Sequence, residues 1–569
     1  MTDSESSDSE KMNVPDVENK AGTTDDQSNE GSPSEDLQIK DSGEKPKFRE
    51  SDAGDGTVRE DQILTGTRLY MCVLSLILSV SLVALDQMIT AAVLTTISDH
   101  FNEFNKMTWI TAAFMMPMGC CAQVWARLSI SFGRKWTLLS GLVIFELGSL
   151  VAGVSTSMNM FIGGRAIQGV GAAAVQTITM VIATEITTID KKPILFATMS
   201  LTFVFSSVLG PVIGGAFGTY ASWRWCFYLN LCCSAFIFPF FILSYRPKPP
   251  VGTFMEKLKT VDFLVNFLMV ASGVLILLGI SFGITSDSWN TPAVISCFVI
   301  GGITLVAFCI DNFKYSKYPV IPTNLVTSVP LLSCLFIVTL NSTTMMVAIQ
   351  FLSVYFQNVI GHDALHTGLS LIPCAISTGL ASFGSGILIK KTRYVKIFSW
   401  ISGFILPVAI GLLMLTTIHE NQAQDIGFLI LIGVSCGLNY QGPAVSALLH
   451  APKTPSSNLL TMALVNFGRS VATALFSEVG GEIYSATLKS GLKKVAPLIE
   501  ETQNPLQELL IKPGLVNSLN VHDRDLIRGK ILVSVHDTFW LCFALSIGSL
   551  IATCFMSNDR LPKTEDVEA

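Results

Sequence analysis

Long apolar runs, separated by short polar segments, fill the chain from about residue 68 to residue 556. A helix that crosses a bilayer needs roughly 20 mostly apolar residues. Strands of a membrane barrel are shorter and alternate apolar with polar positions, so these runs predict helices. The fourteen predicted spans cover approximately 68–92, 107–130, 136–156, 158–184, 194–219, 224–244, 261–284, 292–311, 331–355, 367–389, 395–417, 425–449, 458–486 and 538–556.

The composition agrees with an all-α membrane protein and leaves few other classes open. Half of the 569 residues are hydrophobic and 14% are charged, whereas soluble domains average about 25% charged residues. The 13 cysteines lie mostly within the apolar runs without zinc-like spacing, so we expect no metal and no cofactor. No phosphate-binding GxxxxGK[ST] loop is present, which argues against an ATP-driven pump. Nothing in the sequence favours an enzyme or a partner nucleic acid.

The first 62 residues are polar throughout, without the apolar segment of a signal peptide. They contain 18 Asp and Glu against 7 Lys and Arg, so the acidic balance of the chain is a property of this tail. Because the stretch is rich in Ser and acidic residues and poor in aromatics, it is predicted to be disordered.

Lys and Arg concentrate in alternate connections between the predicted spans, whereas the connections after spans 1, 3, 5, 7 and 11 are nearly free of them. Since basic residues favour the cytosolic side of a membrane, this pattern predicts that both termini are cytosolic. The basic connections contain Arg134 and Lys135, Lys191 and Lys192, Arg246 and Lys248, Lys314 and Lys317, and Lys390 and Lys391.

Three charged residues lie inside early spans, where a charge is costly unless it faces a bundle interior or a water-filled cavity. Asp86 in span 1 and Arg165 in span 4 lie at similar depth, roughly 10 Å below the outer surface at 1.5 Å per helical residue. A pair or a water-bridged contact between them is therefore possible. Glu146 lies near the middle of span 3. Such carboxylates can bind and release protons as their surroundings alternate, although a permanent structural ion pair is the alternative.

Polar residues in the later spans are candidates for the lining of a central cavity. Hydrogen bonding between helices is the alternative for the same residues. The candidates are Asn341, Gln350, Gln441, Asn466, Arg469 and Glu478.

Three stretches between spans 2 and 5 carry glycines and charges in a fixed order. In ARLSISFGRKWTLL (126–139), Gly133 permits a tight turn before two basic residues. In FIGGRAIQGVGAA (161–173), glycines beside Arg165 allow close helix approach. In SSVLGPVIGGAF (206–217), a proline breaks a backbone hydrogen bond and the glycines give a bent, smooth helix face.

Together these stretches resemble motifs A, B and C of the major facilitator superfamily, and LDQMITAAVL resembles the first-span motif of its fourteen-helix drug:proton antiporters. The resemblance covers about residues 68–556, and it is closest to fungal drug-resistance exporters and vacuolar basic amino acid transporters. Ala126 and Ile130 depart from motif A, where glycine and an acidic residue are usual. The matching residues are Arg127, Gly133, Arg134 and Lys135 for motif A, Arg165, Gln168, Gly169 and Gly171 for motif B, and Gly210, Pro211, Gly214 and Gly215 for motif C.

The resemblance implies two six-helix bundles with two extra helices between them, and alternating access driven by proton exchange. It links Asp86 and Arg165 to proton coupling, with Glu146 as a further candidate. The predicted domains are an acidic cytosolic tail at 1–66, an N-terminal bundle at 67–246, two extra helices at 247–322, a C-terminal bundle at 323–556 with an amphipathic loop at 487–537, and a cytosolic tail at 557–569.

Three functions follow as hypotheses. The first is a monomeric proton-coupled antiporter that exports small organic, often cationic compounds across the plasma membrane. The second is a vacuolar antiporter for basic amino acids, with the same architecture. The third is a membrane sensor that does not transport, which the short C-terminal tail disfavours.

Overall fold

The computed structural model describes residues 64, 66–186, 192–247, 262–286, 289–316, 319, 321, 323–419, 421–440, 442–451, 457–495, 516 and 520–558. These residues form helices and no strand. Almost all of the predicted tails at 1–66 and 557–569 lies outside this range. The long helices of the described chain are α1 Thr67–Phe101, α2 Met107–Phe132, α3 Arg134–Gly153, α4 Met158–Glu185, α5 Lys192–Tyr220, α6 Trp225–Ser244, α7 Phe263–Ser286, α8 Pro292–Ile310, α9 Val329–Val354, α10 Ala364–Thr392, α11 Lys396–Leu413, α12 Gln422–Leu438, α13 Ser457–Val495 and α14 Val521–Cys554.

Each predicted span coincides with one of these helices. Twelve of them, counted over the described residues, are long and apolar enough to cross a membrane. The other two, α5 and α7, contain the shorter apolar stretches Val208–Tyr220 and Leu264–Ile280, which are compatible with the predicted fourteen. Helix α8 continues into a π-helical turn at Asp311–Tyr315, α9 into another at Tyr355–Ile360, and α12 is followed after a break by Gly442–Leu449.

Helices α13 and α14 reach far into the range 487–537 that the sequence predicted as an amphipathic loop. The apolar side chains of these helix ends recur at helical spacing, at Leu488 and Leu492 in α13 and at Ile527 and Ile531 in α14, and all four are buried. Because these stripes pack in one apolar core, both helices extend past the predicted ends of their spans.

The helices form two bundles and a peripheral pair. In the first bundle α4 packs against α2 and α3, while α1 packs against α5 and α6. In the second, α9 packs against α13 and α14, α12 packs against α10 and α11, and α11 also packs against α14. Helices α7 and α8 pack on each other, and α7 also touches α2 and α13.

The two bundles meet along two seams, α2 against α13 and α5 against α10. At Gly119 of α2 an added Cβ would lie 3.1 Å from the carbonyl oxygen of Phe467. At Gly368 of α10 it would lie 2.3 Å from the carbonyl oxygen of Pro211. Glycine therefore permits the backbones to approach in both seams. The side of the molecule on which α1 ends is called the far side below.

Candidate functional site

Asp86 of α1 and Arg165 of α4 form a buried ion pair. Arg165 Nη1 lies 2.6 Å from Asp86 Oδ2, and the two residues are 2% and 1% exposed. The equal depth inferred from the sequence thus corresponds to direct contact. A guanidinium and a carboxylate so enclosed are each neutralised by the other, which is what makes either charge tolerable in this interior.

Three uncharged side chains complete the surroundings of the pair. Asp86 Oδ1 accepts hydrogen bonds from Gln168 Nε2 at 3.1 Å and from Asn230 Nδ2 at 2.8 Å. Ser149 Oγ accepts from the same two amide nitrogens, at 2.6 Å and 3.2 Å. Arg165 Nη1 also donates to Gln168 Oε1 at 2.7 Å. Both oxygens of the carboxylate therefore have partners, contributed by α4 and α6.

Sequence reasoning missed Asn230 and Ser149. Asn230 stands in WRWCFYLN, where it is a strongly polar residue near the start of an otherwise apolar span, and this signal was available. Ser149 gave no signal, because a serine in a membrane helix commonly bonds to its own backbone.

Aromatic and backbone groups enclose the guanidinium of Arg165. Its Cζ lies 4.2 Å from the centre of the Phe114 ring, and its Nε donates to the carbonyl oxygen of Ile110 at 3.5 Å. A cation over an aromatic face is stabilised by the ring quadrupole. Arg165 also lines a cavity between the bundles, so it belongs both to the ion pair and to the cavity wall.

Glycines set the distances between the helices that carry this network. At Gly148 of α3, an added Cβ would lie 2.3 Å from the backbone nitrogen of Gln168. At Gly169 of α4 it would lie 2.2 Å from the carbonyl oxygen of Phe114, and at Gly171 it would lie 2.3 Å from the backbone nitrogen of Phe145. The close helix approach expected of Gly169 and Gly171 is thus present. Any larger residue would move α4 and with it Arg165.

Glu146 lies near the network without joining it. Its Oε1 accepts a hydrogen bond from Ser234 Oγ of α6, and its Oε2 is buried without a hydrogen-bond partner. Ser149 lies one helical turn further along α3. The structure therefore places Glu146 in the interface of α3 and α6, and it makes no hydrogen bond to Asp86.

The turn between α2 and α3 supports a second buried ion pair. Gly133 has a φ of +86°, a conformation that favours glycine. Arg134 follows it and donates from Nε and Nη2 to Glu185 Oε1 at 3.2 Å and 3.0 Å. The acidic residue usual in motif A is Ile130 here, and Arg134 pairs with a carboxylate at the end of α4 instead. Lys135 Nζ donates to the carbonyl oxygen of Ile242 at 2.9 Å.

Arg127, the remaining motif A residue, lies on α2 one and a half turns before that turn. Its Nη2 donates to the carbonyl oxygen of Pro319 at 2.7 Å. This bond ties the end of α2 to the segment that leads into the second bundle.

Helix α5 uses its glycines to touch both bundles. An added Cβ at Gly210 would lie 2.4 Å from Met88 Cβ, and at Gly214 it would lie 2.9 Å from the carbonyl oxygen of Ile89, both on α1. At Gly215 it would lie 2.6 Å from Leu365 Cα on α10. The smooth face expected around Pro211 therefore packs beside the helix that carries Asp86 and forms part of one seam.

A cavity of about 70 Å³ lies between the bundles. It adjoins a smaller one of about 30 Å³, and the two share Gln87, Met115 and Met346 in their walls. Residues of α1, α2, α4, α9, α12 and α13, or adjoining their ends, line the larger cavity. Room for a few water molecules is present, since one water needs about 10–15 Å³. Ligand pockets are larger, about 300–1,000 Å³, so neither of these two cavities has room for a substrate in this structure.

The polar residues of the later spans that were predicted to line a cavity lie in different places. Asn341 and Arg469 line the larger cavity, and Gln350 lines the smaller one. Asn466 is absent from the walls described and accepts a hydrogen bond from Arg469 Nη2 at 3.4 Å. Gln441 lies outside the described residues.

Glu478 lies apart from the two cavities described. It is 0% exposed and belongs to neither cavity wall. It lies on α13 close to the seam with α2, where Thr108 is a polar neighbour.

Comparison with known proteins gives a family and a set of relatives. A family model described as Major Facilitator Superfamily matches residues 76–477. Vacuolar basic amino acid transporter 5 of Saccharomyces cerevisiae is 28% identical over 550 residues, covering 88% of this chain and 93% of that protein. Azole resistance protein 1 of the same yeast is 27% identical, covering 89% and 91%. Efflux pump aflT of Aspergillus parasiticus is 29% identical, covering 75% and 84%.

The fold is also that of a solved transporter. A bacterial homologue of the human lysosomal transporter Spinster, in an inward-facing and unoccupied conformation, superposes with a TM-score of 0.54 at 14% identity. The match covers 87% of this chain and 98% of that one. With its family match extending over most of the chain, its two helical bundles and its buried ion pair beside a central cavity, this protein belongs to the Major Facilitator Superfamily and is an integral, multi-pass membrane transporter.

Proposed function

We propose that this transporter is a proton-coupled antiporter and that Asp86 carries the proton. The observation that supports it is the Asp86–Arg165 pair, buried in the first bundle, with Arg165 in the wall of the central cavity. A carboxylate inside a membrane protein is a functional candidate by default, because its burial costs free energy.

The geometry supports a simple coupling scheme. Protonation of Asp86 removes the negative charge that neutralises Arg165. The guanidinium then leaves a net positive charge beside the cavity, which disfavours a cationic group there. Uptake of a proton and release of a cationic group therefore favour each other, and this is what exchange requires.

Alternating access follows from the seams. The cavity described is too small for a ligand, so substrate binding requires one seam to open. Glycine-lined contacts between α5 and α10 can separate as rigid helices without unfolding either bundle.

We propose export of small organic compounds across the plasma membrane, with both termini in the cytosol and the protein acting as a monomer. The names of relatives as efflux pumps and an azole resistance protein favour export, and the alternation of basic connections supports the orientation. A vacuolar antiporter for basic amino acids is the second candidate, favoured by the relative with that name. A sensor that does not transport has no observation in its favour.

Transport into sealed vesicles tests these alternatives. Vesicles from cells that lack related transporters receive an imposed proton gradient, and uptake of a lipophilic cationic dye and of labelled lysine and arginine is followed. Gradient-driven uptake of the dye, lost in Asp86→Asn, is the expected result for an exporter. Uptake of lysine or arginine alone would support the vacuolar function. Uptake that persists unchanged in Asp86→Asn would rule out Asp86 as the proton carrier.

A further inference from the structure

One wall of the central cavity presents a cation that no carboxylate neutralises. Arg469 of α13 lines the larger cavity. Within the part of the chain that the structure describes, its guanidinium has one hydrogen bond, a long one of 3.4 Å to Asn466 one turn earlier on the same helix. Among the described residues no Asp or Glu lies within ion-pair distance of it. Arg134 and Arg165, the arginines that are buried in the described chain, each have a carboxylate partner, whereas Arg469 is only partly buried.

The remaining wall offers this cation no compensation. The larger cavity is lined by amide, hydroxyl and apolar side chains and by no Asp or Glu. Asp86 faces the interior of the first bundle, and Glu478 belongs to neither wall. The wall around Arg469 is therefore positively charged overall, and an anion entering the cavity would meet attraction without repulsion.

Further polar atoms in the walls lack partners. Gln350 is 4% exposed, lines the adjoining cavity and has no acceptor for its Nε2, although its Oε1 accepts from Ser477 Oγ at 2.6 Å. Gln176 lines the larger cavity, and its Oε1 has no partner. Buried polar groups are normally satisfied by protein or water, so these atoms are available to hydrogen-bond a bound molecule.

Methionines supply the apolar part of the same wall. Met115, Met180, Met345 and Met346 line the larger cavity from both bundles. Their side chains are flexible and polarisable, so they adapt to aromatic or aliphatic frames of different shape.

We propose that Arg469 binds an anionic group of the transported molecule, such as a carboxylate, while the organic frame of that molecule lies against the methionines. The inference rests on the proposed transport function and names its substrate class. A guanidinium can bind a carboxylate through two parallel hydrogen bonds, which adds geometric selectivity to charge attraction. Carboxylates and zwitterions, including amino acids, carry the anionic group that Arg469 binds. In a zwitterion, the cationic group is the one that protonation of Asp86 disfavours in the proposed coupling.

Equilibrium binding to the purified full-length protein tests the inference without any transport. Three probes share one frame and differ in the charge of the head group: naphthalene-2-carboxylate, naphthalene-2-carboxamide and 2-naphthylmethylammonium. The carboxylate is expected to bind about tenfold to a hundredfold more tightly than the carboxamide, as one charge-assisted contact provides. Equal binding of these two, or tightest binding of the ammonium, would overturn the inference.

Variants of Arg469 test whether the preference for the carboxylate depends on this residue. Arg469→Gln should abolish the advantage of the carboxylate, and Arg469→Lys should retain part of it, because the charge stays and the paired hydrogen bonds are lost. Lys494→Gln is the matched control, since it removes the same charge from an exposed position on the same helix, and it should bind like the wild type. A carboxylate advantage that survives in Arg469→Gln would place the anion elsewhere.

Proton coupling through Asp86 and anion binding at Arg469 are tested independently of each other. Binding needs no proton gradient, so loss of the head-group preference would leave proton coupling through Asp86 intact. Conversely, failure of gradient-driven transport would leave a carboxylate preference at Arg469 to be measured by binding alone.

Discussion

At the scale of single residues, Asp86 is held by more partners than a proton carrier in free exchange would need. Its oxygens contact Arg165, Gln168 and Asn230, and Ser149 ties the two amides together. Proton transfer at Asp86 must therefore rearrange several side chains at once. Such a coupled rearrangement can transmit protonation to the cavity wall through Arg165.

The balance of charge in this pair predicts a stability pattern. Asp86→Asn leaves Arg165 buried without its counter-charge, and it should lower the free energy of unfolding by about 3 kcal/mol. The double variant Asp86→Asn with Arg165→Gln removes both charges and should recover most of that loss. Thermal denaturation of the purified proteins measures both. A double variant less stable than Asp86→Asn would show that Arg165 stabilises the bundle independently of Asp86.

At the scale of helices, the α5–α10 seam depends on the absence of side chains. Gly215 and Gly368 bring each helix against the backbone of the other. The same helix α5 contacts α1 next to Asp86 through Gly210 and Gly214. The glycine-rich helix α5 thus connects the first bundle, which contains the Asp86–Arg165 pair, to the second bundle. The glycines of motif C permit both contacts.

Adding one methyl group to this seam should destabilise the packing of the two bundles. In Gly368→Ala the new Cβ would lie 2.3 Å from the carbonyl oxygen of Pro211, and backbone cannot give way as a flexible side chain would. Overpacking of this kind costs about 1–3 kcal/mol.

The matched control is Gly384→Ala on the same helix, where an added Cβ meets nothing within 4 Å. Alanine favours helix there, so this variant should be as stable as the wild type or slightly more so. Thermal unfolding of the two variants checks the difference. Equal midpoints would mean that the seam is not tightly packed in the protein.

At the scale of the whole molecule, two bundles enclose a cavity too small for substrate, so function requires the seams to open in turn. On the far side, α5 and α10 are close enough to be crosslinked by a disulfide. An added Cβ at Gly218 of α5 would lie 3.2 Å from Ala364 Cβ of α10, slightly under the 3.5–4.5 Å usual for a disulfide.

A disulfide between Gly218→Cys and Ala364→Cys, in a background without the native cysteines, should therefore form with a small shift. Transport should stop on oxidation and return on reduction, because the far side can no longer open. Each single variant should transport under both conditions. Undiminished transport by the crosslinked protein would contradict alternating access through this seam.

The sequence predicts the helices and the Asp86–Arg165 contact well, because hydropathy gives the spans and position along a span gives depth. It does not predict which way a helix is rotated. Asn230 was missed although its polarity in an apolar span was a signal, and Ser149 was missed because a serine in a membrane helix commonly bonds to its own backbone. The amphipathic ends of α13 and α14 fit either a membrane surface or another helix, and only packing distinguishes the two.

The central claim is that Asp86 exchanges protons for substrate, and proton movement is its most direct readout. The purified protein is placed in sealed liposomes that contain a pH-sensitive dye. The substrate added is one that has been shown to be transported, chosen from the lipophilic cation, the amino acids and the carboxylates. Substrate addition should drive protons through the wild type and through Lys494→Gln, and should drive none through Asp86→Asn while substrate binding is retained. Substrate-driven proton movement through Asp86→Asn at the wild-type rate would contradict the account.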